Sequence, residues 1–397
     1  MTADTTERIA IWRDERFWKI VFQVIVLASV IGLIALLIHN MNVNLQKTNR
    51  EFDFGFLRFS ASFNIGETII PYSPSDSFRY AFLVGLLNTV RVIIPGFILT
   101  TLLGVFVGVA SFSDNWLVRK LSLVYVEVIR NIPLLLQLIF WYFAVFLNLP
   151  RVKDQLQLPL SVFMSKAGIS IPWPELSQGF WGWCGVLFVG AIAAWLIWRW
   201  RTLVIVEKGQ SGQPQLMILL GMAIASLAIF FFGFNWVFPS LLIDQVTQEP
   251  DTTRTAVGGL KLSLEYTTLL TGLVVYTAAF IAEIVRSGIQ SVSKGQWEAA
   301  GSLGLKSGLV MQLVVLPQAL RVIIPPLNSQ YMNLAKNSSL ALVIGYPDLY
   351  SVNSTIFNQT GKPVEVFTMI MFTYLAISLT ISIVMNWINK AVELQTR

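Results

Sequence analysis

Gln330, Asn333 and Asn337 fall at i, i+3 and i+7, so a helix carries three carboxamides on one face. Each carboxamide both donates and accepts hydrogen bonds. Asn328 and Lys336 belong to the same stretch, while Arg91 and Tyr276 sit in other apolar runs. Glu127 with Arg130, and Glu283 with Arg286, are three apart and read as structural ion pairs at helical spacing. This is binding chemistry rather than bond-breaking chemistry. His39 is the only histidine and Cys184 the only cysteine, which excludes a multi-histidine metal cluster and an intrachain disulfide. A histidine-based triad is not expected, no metal site is expected, and Cys184 reads as a buried apolar thiol. Residues 301–307 have the outline of a phosphate loop, but Leu305 separates Gly304 from Lys306 and breaks the Gly-Lys-Ser junction.

The elements that position these groups are membrane helices. The chain is 55% hydrophobic and 13% charged, with a mean hydropathy of +0.65, far from a soluble globular average. Apolar runs at 20–38, 80–110, 123–147, 180–198, 216–238, 264–285, 316–344 and 367–388 each approach or exceed the roughly 20 residues a spanning helix needs. The expected fold is an all-α polytopic membrane protein with eight transmembrane helices. The seventh run is the weakest by hydropathy and is interrupted by Pro325-Pro326. The first run is too long for a cleavable leader and its flank mixes acids with bases. Ile9, Trp12 and Arg16 within 7–19 sit at helical spacing, as in an interfacial helix leading into lipid. The formal charge of +6 arises mostly from bases flanking the runs. They report orientation in a membrane, not nucleic acid, and their bias puts both termini in the cytoplasm.

The runs differ in kind. Those at 180–198 and 216–238 are rich in Trp and Phe and carry few polar residues, as a lipid-facing scaffold would. The others carry polar groups at depth, which lipid tolerates only inside protein or along a cavity. Gly104 and Gly108 form a small-xxx-small pair that allows close helix approach. Arg91 and Lys336 need a partner or water, and Lys336 can pair with Glu265 or reach an interface. The chain divides into a first span (1–40), an outer loop (41–79), a first core part (80–147), a loop with an inserted helix pair (148–258) and a second core part (259–397). No internal repeat is evident.

Residues 297–317 form a polar interruption between apolar runs and have the pattern of helix, Gly304 turn and helix. Glu298-Ala299-Ala300, Gly304, Val314 and Leu316-Pro317 resemble the signature loop of binding-protein-dependent ABC importer permeases. Gly85-Leu86-Leu87-Asn88-Thr89, the run from Tyr125 to Gln137, the run from Ala282 to Ile289, and Pro317-Gln318-Ala319-Leu320 are similar to the polar amino-acid branch. The long form, with Pro71-Tyr72-Ser73 in the outer loop and the inserted pair, resembles the larger general L-amino-acid permease subunit.

The resemblance implies a five-helix type I core made of spans 2, 3, 6, 7 and 8, in a bacterial inner membrane. It implies a coupling loop at 289–317, in which Gly295, Trp297, Glu298, Ala299, Ala300, Leu303 and Gly304 meet a cytosolic ATPase dimer. ATP and Mg would then be bound by that partner and by no site in this chain. A periplasmic amino-acid-binding protein, a second, non-identical permease and membrane lipids are the other partners implied. Small Ala299 and Ala300 would let the ATPase approach closely, and Glu298 would face a base or remain a solvated acid. Asn333 and Asn337 would contact substrate or hydrogen-bond between helices, with Gln330 beside them, and Arg91 or Lys336 would take a carboxylate. Asn at 337 in place of an acid disfavours strict selection of cationic amino acids, leaving a neutral-to-acidic range. The alternative is an ion-coupled secondary amino-acid transporter using the same polar core.

Overall fold

An apolar run of about 20 residues in lipid can satisfy its backbone only as a helix, and helices dominate the computed structural model. The structure describes residues 15–47, 51–175, part of 182–200, 213–242, 255–305 and 307–393. The start of the expected interfacial helix (7–14), Cys184, Lys306 and much of the expected span 180–198 lie outside these residues. Helix α1 is Glu15–Lys47 and α2 is Phe78–Ala110. Next come α3 (Trp116–Asn131) and α4 (Leu134–Ile139), which runs on through a π turn at Phe140–Val145. The inserted segment contributes α5 (Gln213–Phe232). The second core part holds α6 (Leu264–Gln290), α7 (Lys294–Ser302), α8 (Ser307–Val310), α9 (Leu316–Asn337), α10 (Leu349–Thr360) and α11 (Pro363–Glu393).

Five of the helical segments described are long and apolar enough to cross a membrane, at Phe17–Lys47, Phe78–Ala110, Leu264–Gln290, Ser307–Ile344 and Pro363–Lys390. The expected span 123–147 is not one straight helix. It is broken at Ile132-Pro133 into Trp116–Asn131 and Leu134–Asn148, bent by 106°. Proline disfavours the helical region for the residue before it, and Ile132 is extended at φ −103°, ψ 126°. By contrast Pro325-Pro326 does not interrupt α9, which runs helically through both. The inserted pair is represented by α5, whose apolar part Met217–Phe232 is shorter than the other spans.

Helix α1 stands apart, with none of its apolar window buried by the rest of the chain. The central core is built by α2, α6 and α9, where Val92, Leu269, Leu273, Ile281, Leu334 and Ala335 are fully or almost fully buried. Glycines set how near α2 comes to α6. A Cβ at Gly104 would lie 2.6 Å from Ile281 Cβ, and one at Gly108 would lie 2.8 Å from Val285 Cβ.

The two ends of this bundle differ. One end, here called upper, carries residues 51–77, α10 and the starts of α2, α6 and α11. Phe56, Phe78, Val352, Ile356, Val366 and Ile370 form a second apolar cluster there. The upper end also has β structure that an all-α reading omits. Strands β1 (Leu156–Leu158), β2 (Val162–Ser165), β3 (Gly168–Ile171) and β8 (Leu260–Leu262) form an antiparallel sheet in the order β1-β2-β3-β8. Its registers pair Leu156 with Met164, Phe163 with Ser170 and Ile169 with Leu262. Strand β4 (Trp173–Pro174) pairs with β5 (Trp236–Val237), and β6 (Ser240–Leu242) pairs with β7 (Thr255–Val257). Two residues past β8, α6 begins at Leu264, so the sheet holds its start. The lower end carries α7 and α8.

Asp348 caps α10 at the upper end, outside the spanning segments. Its Oδ1 accepts from the Ser351 N–H at 2.8 Å and its Oδ2 accepts from the Tyr374 hydroxyl at 3.3 Å. The residue is fully buried, and burial pushes its carboxyl up to about 6. A folded-state pKa above the unfolded one means that the folded protein holds the proton more tightly. Stability is therefore expected to rise as pH falls through about 6 and to be lost as pH rises through it. The difference is on the order of 3 kcal/mol between neutral pH and full protonation. Thermal melting at pH 5 and pH 7 in wild type and Asp348→Asn tests this, because Asn keeps the cap and should remove the dependence.

Candidate functional site

Helix α7 is an ordered element, ended by a defined turn. The Leu305 N–H donates to Ala300 O at 3.4 Å and the Gly304 N–H donates to Gly301 O at 2.9 Å, with Gly304 at φ +76°. This is the paired bonding of a Schellman cap, which needs a left-handed residue where Gly304 stands. Leu305 and Ala300 pack on the core together with Trp297, Val310 and Val315. The opposite side of α7 is free: Gly295, Glu298, Ala299, Ser302 and Leu303 are exposed, Leu303 at 81%. A Cβ at Gly295, Gly301 or Gly304 would meet nothing within 4 Å. Of the two alanines, only Ala299 is presented outward. Ala300 is 4% exposed and anchors α7 to its own chain, because positions 297 and 300 share the inward stripe of the helix. From the other side the Gln318 amide reaches Gln296 Oε1 at 3.5 Å and donates to Val314 O at 2.8 Å. The base of α9 is thereby joined to α7.

On α9 the buried stripe includes Ile323, Leu327, Leu334 and Ala335. Tyr331 shares a 2.7 Å hydrogen bond with Thr101 and lies 5.0 Å from the Phe97 ring. Gln330, Asn333 and Asn337 flank this stripe together; Asn333 is exposed and the other two are half-buried. Among the described residues none of these three amides has a hydrogen-bond partner, so the face is open to a ligand or to another helix. Asn328 is on the other flank, about 160° away from Gln330 at roughly 100° per residue, and its buried Oδ1 has no partner. Lys336 is exposed and makes no ion pair among the described residues. It does not pair with Glu265, which instead accepts from the Tyr142 hydroxyl at 3.2 Å. Tyr276 packs on Phe280 at 4.9 Å.

Toward the lower end, Lys120, Glu127, Arg130, Asn131, Phe280 and Glu283 line a recess of about 510 Å³, with Arg286 at its rim. Glu283 and Arg286 pair as their spacing predicts, at 2.6 Å and 3.1 Å. Glu127 and Arg130 do not. Arg130 crosses to α6, where it lies 3.8 Å from Glu283 and 5.2 Å over the Phe280 ring. A partly buried acid and a ring face together offer the guanidinium more than an exposed neighbour one turn back. Among the described residues Glu127 has no ion-pair partner.

Arg91 is near the upper end of the bundle and is already paired, at 2.5 Å to Glu67. Its guanidinium lies 4.6 Å over the Tyr266 ring. Glu67, Lys120 and Ser263 join these clusters without a signal at sequence level, and Asn88 is marked there only as part of the Gly85–Thr89 resemblance. Their partners lie far along the chain, and Glu67 is an ordinary loop acid until the fold brings it to α2.

Residues 211–397 match the family model described as "Binding-protein-dependent transport system inner membrane component". The chain is 40% identical over 386 residues to the putative amino-acid ABC transporter permease protein YhdX of Escherichia coli (strain K12), covering 96% of this chain and 95% of that protein. It is 40% identical over 385 residues to the general L-amino acid transport system permease protein AapQ of Rhizobium johnstonii, covering 97% and 94%. The glutamate/glutamine/aspartate/asparagine transport system permease protein BztB of Rhodobacter capsulatus is 38% identical over 419 residues, covering 97% and 96%. Likeness along both full lengths sets aside the secondary-transporter alternative. The chain belongs to the amino-acid ABC transporter permease family, the membrane-embedded, non-catalytic subunits of binding-protein-dependent importers.

Proposed function

We propose that this chain forms part of the path of an ATP-driven importer for neutral and acidic L-amino acids. The observation that carries the reading is α7: it is anchored inward by Trp297 and Ala300, closed by the Gly304 cap, and bare outward at Gly295, Glu298, Ala299 and Leu303. Such an element suits a groove in a cytosolic ATPase, whose closure on ATP would move α6 and α9 through the two ends of the loop. ATP and Mg belong to that ATPase pair. The lower end and both termini are then cytoplasmic, and the upper end receives substrate from a binding protein.

Gln330, Asn333 and Asn337 provide neutral donors and acceptors toward the path. With Asn333 exposed and Gln330 and Asn337 half-buried, they are suitably placed for a second, non-identical permease to complete the enclosure. The four amino acids in the name of BztB, acidic and amide in kind, and the general L-amino-acid range in that of AapQ support a broad neutral-to-acidic range here. The test is uptake of labelled glutamine by proteoliposomes holding the purified assembly. Uptake should require ATP at the α7 side and binding protein at the other. Uptake driven by an ion gradient in vesicles lacking the ATPase would overturn the reading.

A further inference from the structure

Glu67 comes from the upper loop, yet both its carboxylate oxygens are engaged by the bundle. Oε1 accepts from Arg91 Nη1 at 2.5 Å. Oε2 accepts from the Ser263 hydroxyl, which also caps the start of α6 by accepting from the Tyr266 N–H at 3.0 Å. The Tyr266 ring lies against Arg91, and the Tyr266 hydroxyl donates to Arg91 O at 3.3 Å. One turn before Arg91 on α2, the Asn88 amide donates to Glu67 O at 2.8 Å and to Pro347 O at 2.9 Å. Asn88 is fully buried, and its Oδ1 has no hydrogen-bond partner.

A guanidinium and the hydroxyl of a helix N-cap converging on one carboxylate make a carboxylate site. Beside it is an orphaned acceptor that calls for a donor. An α-amino acid brings a carboxylate and an ammonium together on one carbon. We propose that Arg91, Ser263 and Asn88 form an outer binding notch for the head group of a zwitterionic α-amino acid, and that Glu67 is the chain's own stand-in for the substrate carboxylate. The notch rests on the importer reading and extends it to a second station, at the mouth of the path rather than along α9.

The attachment of the loop fits an exchange. Phe56, Ala61 and Phe78 fix its two ends in the upper apolar cluster, and the Tyr72 and Tyr80 hydroxyls donate to Phe63 O and Pro71 O. Between these ties Ile65 packs on the same cluster, and every hydrogen bond from residues 64–70 to the rest of the described chain passes through Glu67. Water alone does not release it readily, because the pair is only 21% and 17% exposed and a lone Arg91 would be left poorly solvated. A second carboxylate removes that penalty: one anion replaces another on the same donors, and the ammonium satisfies Asn88 Oδ1 as the tip lifts.

The experiment is the mobility of a nitroxide attached at the exposed position 64 (Asn64→Cys with Cys184→Ser), read by electron paramagnetic resonance in the assembled importer in lipid nanodiscs, with and without saturating L-glutamine. Propionate and butylamine serve as probes carrying one charge each. Glutamine should raise the ratio of mobile to immobile label roughly tenfold, the loss expected from one charge-assisted hydrogen bond, and either single-charge probe should do less. Glu67→Gln and Arg91→Gln should each give a mobile label whether or not glutamine is present. If the wild-type tip ignores glutamine in a preparation that imports it on ATP, the notch is wrong. If Glu67→Gln leaves the label as immobile as in the parent, Glu67 is not the tie and the proposal also fails. A preparation that never imports on ATP would instead count against the importer reading itself.

Discussion

Glu298→Lys is expected to leave the permease folded and inserted while ATP-driven uptake falls roughly 10- to 100-fold, the scale of a few kcal/mol for a charge placed against its own sign at an interface. The fold should tolerate the change. Glu298 is exposed, makes no ion pair among the described residues, and contributes to its own helix only a backbone carbonyl that accepts from the Ser302 hydroxyl at 2.9 Å. It is the fifth residue of α7, beyond the first turn where an acid gains most from the helix dipole. A surface substitution of this kind usually moves stability by less than about 0.5 kcal/mol. An effect on uptake therefore has to arise outside the chain, at the surface that α7 meets. The measurement is uptake and ATP hydrolysis in the same proteoliposomes, with Glu298→Gln beside Glu298→Lys. Hydrolysis that persists while uptake collapses places the residue in coupling. Unchanged uptake in the Lys variant would remove Glu298 from the docking surface.

How far such residues could be read beforehand depends on the range of the interactions that place them. The helix–Gly–helix form of 294–317 is local: a left-handed residue ends one helix and another begins a few residues on, so the sequence displays it directly. Gly104 and Gly108 permit a close approach at the level of sequence, but small residues at that spacing recur by chance in apolar helices, and only the fold shows that α6 is the helix they meet. The break at Ile132-Pro133, with its turn of 106°, is not anticipated by reading 123–147 as one span, although a proline disfavours helical backbone just before it. Pro325-Pro326 misled in the opposite direction. Both prolines point out of the packed stripe and are exposed, and α9 is held on either side by Ile323, Ile324 and Leu327. Tertiary packing there outweighs the local loss of backbone bonds. The charge partners were least legible. Arg130 has an acid three residues back and chooses one on another helix, while Arg91 is satisfied by Glu67 from a loop. Spacing gives candidates for a charge; only the fold decides among them.

The seam between α2 and α6 gives the largest structural effect. In lipid no hydrophobic force distinguishes a neighbouring helix from an acyl chain, so association rests on close packing and on contacts between backbones. Here the seam runs from the Thr100 hydroxyl, which donates to Val274 O at 3.4 Å, past Gly104 against Ala278 O and Ile281, to Gly108 against Ala282 O and Val285. At Gly108 a Cβ would lie 2.9 Å from Ala282 O as well as 2.8 Å from Val285 Cβ. Backbone and β-branched carbons cannot swing aside as the tip of a long side chain can. Gly108→Leu must therefore push the helices apart, at a cost at or above the roughly 1–3 kcal/mol of ordinary overpacking. The damage should not stay local, because α6 runs on from Val285 to Gln290 and α7 starts at Lys294. A displaced α6 carries the coupling helix with it. Gly108→Leu is accordingly expected to lower the melting temperature of the assembled importer and to reduce recovery of the ATPase with the permease. Gly108→Ala should do the same more mildly. Gly32→Leu in α1 supplies the control, since a Cβ there meets nothing within 4 Å and both readouts should stay at wild-type values. Equal melting and equal ATPase recovery for Gly108→Leu and Gly32→Leu would mean that α2 and α6 do not meet along this seam.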